Sequence, residues 1–269
     1  HGEESNRQAI TVLTNAAKRV GFTDVEFQFE PVAAGFEFEA SLTEETRVLV
    51  VDIGGGTSDC SMLLMGPKLS QADSRLAHLL SHSGVRVAGN DFDIQLALRG
   101  IMPSLGMNDT FKTGKPLPTS PFRQAIAINN INEQTEFYSA KNRRDLLQLA
   151  RDAQHHDIVS RLITVHDQKL SYQLANSAEQ AKISLSDSVL QHFDLNDISD
   201  NLSVEVNREL LRQANSHTLQ SIADLMKEAV TKAQCQPDVI FVTGGTAKSP
   251  VLNEFLQQQM PNIPVVIGD

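Results

Sequence analysis

The stretch VLVVDIGGGTSD at residues 48–59 constrains this chain more than any other. Val48–Ile53 is apolar apart from Asp52, so it predicts a strand buried on both faces. Three glycines follow, and apolar character resumes at Cys60–Met65. A strand, a tight turn and a second strand make a hairpin, so the sheet is expected to be mixed rather than purely parallel. Glycine permits close backbone approach, and successive N–H groups in such a turn form a nest for an anion such as phosphate. Thr57 adds a hydroxyl donor. Asp52 ends a buried strand, where a carboxylate needs a partner. A hydrated Mg²⁺ beside a phosphate would supply one. The alternative is a plain glycine-rich turn, because Asp, Gly and Thr are common turn formers. The spacing is neither GxxxxGK[ST] nor GxGxxG.

The device of a strand followed by glycines recurs at 239–246, where Asp238–Thr243 predicts a strand and Gly244-Gly245-Thr246 a turn. Ser249-Pro250 then reads as an N-cap with proline at the first helical position. Elsewhere, apolar spacing predicts helices over 5–20, 32–40, 141–165 and 176–185. A long helix is expected after an Asn207 N-cap, and another soon after the Gly89-Asn90-Asp91 turn. Alternation at 24–29 predicts a strand, as do short runs near 189–195 and 202–206. Residues 102–122, rich in Pro, Gly, Ser and Thr, predict an irregular loop.

Composition narrows the partners. The net charge of −10 argues against a nucleic-acid backbone as the main partner. No apolar segment is long enough for a membrane-spanning helix. Cys60 and Cys235 lack metal-type spacing and read as reduced, packed thiols, which fits a cytoplasmic protein. His155-His156 lies in a charged segment and reads as solvated surface.

With these motifs in hand, DIGGGTSD resembles the second phosphate loop of the actin-like ATPase superfamily, most closely the DnaK-type heat-shock chaperones. Four more stretches fall in that family's order: EPVAAG at 30–35, AGNDFD at 88–93, AEQAKISLS at 178–186 and VTGGTAKSP at 242–250. The departures and the loop-rich 95–175 region are most similar to the divergent YegD-like bacterial branch.

The resemblance implies an α/β actin-like ATPase (ribonuclease H-like) lobe with a mixed sheet and an inserted, mainly helical α+β subdomain. Residues 1–46 would be a remnant of the first lobe with the linking segment, 47–90 and 204–269 the nucleotide-binding core, and 91–203 the insertion. It implies slow ATP hydrolysis with lobe closure as output, ATP/ADP and Mg²⁺ as cofactors, and client or co-chaperone proteins as partners. Glu30, Asp52 and Thr57 would be catalytic, with Glu30 and Asp52 holding Mg²⁺ through water. Gly54, Gly55, Gly56 and Gly89 would contact phosphate. Glu179, Lys182, Ser186, Gly244, Gly245 and Lys248 would surround the nucleoside.

Read alone, Glu30 is also a plain helix-start acid, and Glu179 with Lys182 a surface ion pair. Ile183 and Lys248 stand where these chaperones carry arginines, and Ala88 replaces a glycine. A lysine cannot stack on a base as a planar guanidinium does. The family's first phosphate hairpin and catalytic lysine would precede His1, so the chain is expected to be a fragment, incomplete for turnover. The competing classes are a sugar kinase or exopolyphosphatase on the same fold, and a non-enzymatic nucleotide-dependent interaction module.

Overall fold

A computed structural model describes residues 3–28, 30–69 and 75–268. The central element is β1 (Thr46–Ile53), whose Val48, Leu49, Val50, Val51 and Ile53 are buried. Each such side chain contributes about 1.5–3 kcal/mol relative to leaving it in water. Its antiparallel partner β2 (Ser58–Met65) returns through the glycine turn, with Asp52 opposite Asp59. The hairpin and the mixed sheet are therefore as expected. A strand not foreseen, β3 (Leu79–Val85), pairs with β2 at the sheet edge.

On the other side β1 runs parallel to β6 (Val239–Thr243), which runs parallel to the short β7 (Val265–Ile267). The sheet order is β3-β2-β1-β6-β7. Arg47 and Asp238 lock the first ends of β1 and β6 together: Nη2 lies 2.6 Å from Oδ1, the Arg47 N–H donates to Asp238 Oδ2, and the Asp238 N–H donates to the Arg47 carbonyl.

Helices cover both faces. Helix α2 (Glu30–Ala40) lays Val32 and Phe38 on Val48, Val50, Leu63, Met65, Val239 and Phe241; the Phe38 and Phe241 rings stack at 4.9 Å. Opposite it, the larger core holds α3 (Gly89–Gly100), α10 (Ser216–Ala233) and α11 (Pro250–Gln259). The intervening chain forms α4 (Ser120–Ile126), α5 (Ile131–Phe137), α6 (Ala140–Asp152), α7 (His156–Gln168), α8 (Ser171–Ser184) and α9 (Arg208–Ala214). The antiparallel hairpin β4 (Leu190–Asp194) and β5 (Ser203–Asn207) precedes α9. The core is continuous from the sheet into these helices.

Several expectations need correction. Residues 24–28 form no strand, and Phe29 lies outside the described residues. Alternating side chains provide two faces, but no strand among the described residues pairs with the segment, and Phe27 stays 43% exposed. The helix expected over 141–165 breaks at Ala153, which bridges to Phe111 in extended conformation. The 102–122 segment is irregular as expected, yet it is not a surface loop. Met102, Leu105, Leu117 and Phe122 are buried, and a 3-10 turn spans Met102–Leu105.

Asn207 caps as foreseen, its Oδ1 accepting from the Leu210 N–H at 2.8 Å. The helix it starts ends at Asn215, a buried amide that donates to the Phe92 and Leu211 carbonyls. Helix α1 (Glu3–Arg19) forms as predicted, but Ile10, Val12 and Leu13 are exposed.

Candidate functional site

The carboxyl ends of the parallel strands β1 and β6 carry the two glycine turns side by side. In open α/β sheets ligands bind in the crevice outside such strand ends. The first turn is closed by the Gly54 N–H donating to the Thr57 carbonyl at 3.0 Å. The start of α3 then docks on it: the Gly89 N–H donates to Gly54 O (2.9 Å) and the Asn90 N–H to Gly55 O (2.8 Å). Asp91 accepts from the Ala88 N–H at 2.8 Å, fixing that helix start, where an acid also meets the positive end of the helix dipole. Ser58 Oγ donates to the Val87 carbonyl at 2.6 Å and ties the approach to α3 to β2.

The second turn backs onto the first. Gly244 has φ +93°, and a Cβ there would lie 2.3 Å from Ile53 O and 2.8 Å from Asp52 Oδ1. Only glycine fits both the dihedral and the space. A Cβ on Gly89 would sit 3.0 Å from Gly54 O and 3.0 Å from Thr246 Oγ1. Gly54, Gly89 and Gly244 are thus packed into one floor.

Asp52 is half-buried on that floor. Burial raises its carboxyl above the ordinary range, and the nearby charges of Glu30 and Asp59 add to the rise. Among the described residues no group of three or more His, Cys, Asp or Glu side chains is placed to hold a metal ion directly. Asp52 and Glu30 are the acids that could hold a cation here through its waters. Asp59 itself lies 3.6 Å from His82 Nε2, and Ser61 Oγ lies 2.9 Å from His82 Nδ1. Thr57 and Asp59 border an open groove shared with His82, Arg86, Glu228 and Lys232.

Next to the floor, α8 and the 244–249 loop enclose a cleft of about 340 Å³. Lys182, Ser186, Gly245 and Lys248 line it, four of the six residues assigned to the nucleoside by resemblance. Ile183, Asp187, Thr246 and Ser249 complete the lining. Ile183 is 50% exposed, so an apolar side chain forms part of the cleft wall. Ser249 is buried with its Oγ unpartnered among the described residues, although sequence pointed to it as a helix cap.

Glu179 does not line this cleft. It borders a neighbouring hollow of about 210 Å³ with Asn90, Asp93 and Tyr172. Nor is Lys182 its surface partner. Lys182 is buried, with Nζ 2.9 Å from Asp93 Oδ1 and 3.0 Å from Oδ2, and 3.4 Å from the Gly89 carbonyl.

Asp93 was missed by the sequence reading, though a signal existed. It lies on the buried stripe Gly89, Phe92, Asp93, Leu96, Ala97 and Gly100 of α3. Lys182 lies on the buried stripe Leu174, Ala175, Ala178, Ala181 and Lys182 of α8. An acid and a base each placed on an apolar stripe call for one another.

Cys60 is buried in the core, and burial pushes its thiol well up, as expected of a packed side chain. His155 pairs with Asp109 at 2.8 Å and is mostly exposed.

The fold is therefore an α/β protein with a five-stranded mixed sheet, two glycine turns and a cleft at the carboxyl ends of its parallel strands. No protein-family model matches the chain. No helix among the described residues is long and apolar enough to cross a membrane.

Proposed function

We propose that this chain is the nucleotide-facing lobe of an actin-like ATPase of the DnaK chaperone type. The observation that carries the reading is the shared floor of the two glycine turns. Gly244 lies against Ile53 and Asp52, and Gly89 against Gly54, so Asp52 borders the same surface as the 340 Å³ cleft. A nucleoside in the cleft directs its phosphates toward the Gly54–Gly56 hairpin. The open backbone there and the Thr57 hydroxyl receive them. Mg²⁺, when bound, neutralises phosphate charge, and Asp52 with Glu30 orients its waters.

In this reading the chain supplies one side of the phosphate clamp. Hydrolysis needs charge stabilisation from a second lobe, and closure of the two lobes is the signal to client or co-chaperone proteins. An apolar Ile183 and a flexible Lys248 replace planar cations in the cleft, so the base is held less tightly than the phosphates.

The test is equilibrium binding of ADP and ATP, with and without Mg²⁺, by this chain and by the longest natural protein that contains it. Expected is Mg²⁺-dependent binding, weak for the chain alone and lowered by Asp52→Asn. Absence of Mg²⁺-dependent nucleotide binding in both proteins would overturn the proposal. So would turnover of polyphosphate or a sugar in place of ATP.

A further inference from the structure

An ammonium has three N–H donors and no acceptor. Lys182 donates to Asp93 Oδ2 at 3.0 Å and to Gly89 O at 3.4 Å, and Asp93 Oδ1 lies 2.9 Å from the ammonium as an ion-pair contact. Lys182 lines the nucleoside cleft, yet both of its hydrogen bonds and its ion pair are made inside the protein. Both members of the pair are less than a tenth exposed. We infer that Asp93 is a positioning residue that keeps the Lys182 ammonium out of the cleft, and that neutralising Asp93 releases this cation toward the cleft's ligand. The consequence for nucleotide rests on the function proposed above; the latch itself does not.

Charge counting gives the direction. With Asp93 ionised, Lys182 and Asp93 cancel, as do the other two lining charges, Lys248 and Asp187. Loss of the Asp93 charge leaves the cleft with a net positive charge, and an anionic ligand is then held more tightly.

The surroundings make that loss accessible. Burial pushes the Asp93 carboxyl up to about 6 against the pull of Lys182, and the charges of Glu179 on α8 and Asp91 on α3 push the same way. Tyr172 is the other titratable side chain of the adjoining hollow. The link also reaches the phosphate end. Lys182 donates to the Gly89 carbonyl, and the Gly89 N–H donates to Gly54 O. One side chain therefore joins α8, the start of α3 and the glycine hairpin.

The first measurement uses the ligand-free chain. NMR follows the Asp93 carboxyl carbon and the Lys182 Nζ from about pH 7.5 to about 5. Expected is one shared transition near the Asp93 midpoint, in which the ammonium loses its protection from exchange. Two separate transitions, or a Lys182 signal unprotected at about pH 7.5, overturn the latch whether or not any nucleotide binds.

The second measurement is the affinity for Mg·ADP over the same range. Expected is a rise of about fivefold toward low pH. Lys182→Met loses the low-pH rise. Asp93→Asn holds the low-pH affinity throughout. A flat parent profile, or a low-pH rise that survives in Lys182→Met, overturns the inference. If Mg·ADP binds at no pH, the function proposed above fails, and the latch is judged on the first measurement alone.

Discussion

Gly244 and Gly56 stand at the same end of the sheet, yet a methyl group would meet opposite surroundings at each. At Gly244 it would run into Ile53 O at 2.3 Å, on a backbone at φ +93°. At Gly56 it would meet nothing within 4 Å. Gly55 is nearly as open, with the Asn90 amide at 3.6 Å, and Gly54 makes only an ordinary contact to Thr57 O at 3.5 Å. The three hairpin glycines therefore leave open space that the fold does not fill. Of the glycines in these two turns and at the start of α3, Gly89 and Gly244 are the ones whose side-chain space the fold itself fills. Folding accounts for the second pair, and a ligand in that open space would account for the first three.

The sharpest way to break this contrast is Gly244→Ala. The clash is with backbone rather than a flexible side chain, so the expected loss is about 3 kcal/mol or more of unfolding free energy, read by urea denaturation. Gly89→Ala meets contacts at 3.0 Å that can give slightly, and is expected to cost about 1–2 kcal/mol in the same assay. Gly55→Ala and Gly56→Ala should leave stability within about 0.5 kcal/mol while lowering Mg·ADP affinity about tenfold. Equal losses of stability at Gly56 and Gly244 would collapse the distinction. An unaltered affinity in both hairpin variants would remove the ligand from the open space.

The smallest expected effect concerns charge. The Asp52 carboxyl is raised by burial, then by Glu30 and Asp59, so its ionised form opposes folding. That opposition is absent below the unfolded-state pKa and is fully expressed once pH has risen past the folded one. Asp52→Asn is thus expected to stabilise the metal-free protein near neutral pH. The gain stays well under about 1 kcal/mol because water screens a half-buried site. A melting curve without Mg²⁺ checks the sign. Asp93 follows the same rule: its contribution to stability falls as pH rises from the ordinary carboxyl range through about 6, and Asp93→Asn flattens that fall.

The hairpin was legible because its apolar run and its glycines are local signals that agree with each other. Helix α2, the start of α3 and the Asn207 cap were legible for the same reason. Strand β3 was not. Its sequence LLSHSGV is half polar, and it is a strand because β2 offers a ladder with partners from Ser58↔Val85 to Leu63↔Leu79. Residues 24–28 carry the better alternation and lack such a neighbour, so they form none. Pairing therefore outweighed pattern in both places. At the site, the family resemblance had pointed to Ser186, Gly245 and Lys248, and these three line one cleft. It could not show that the Lys182 ammonium is taken by a carboxylate 89 positions earlier. That bond depends on how two helices cross.

The pairing of β1 with β6 has a kinetic meaning as well. Arg47 and Asp238, at the mouth of that pairing, are 191 positions apart. The loop closed by this contact holds most of the chain, and such non-local contacts form slowly. Until β6 docks, Gly244 is not beside Asp52 and the cleft has only one wall. A chain emerging from the ribosome would complete the hairpin early and gain the second wall of its cleft only after residue 249 had been synthesised.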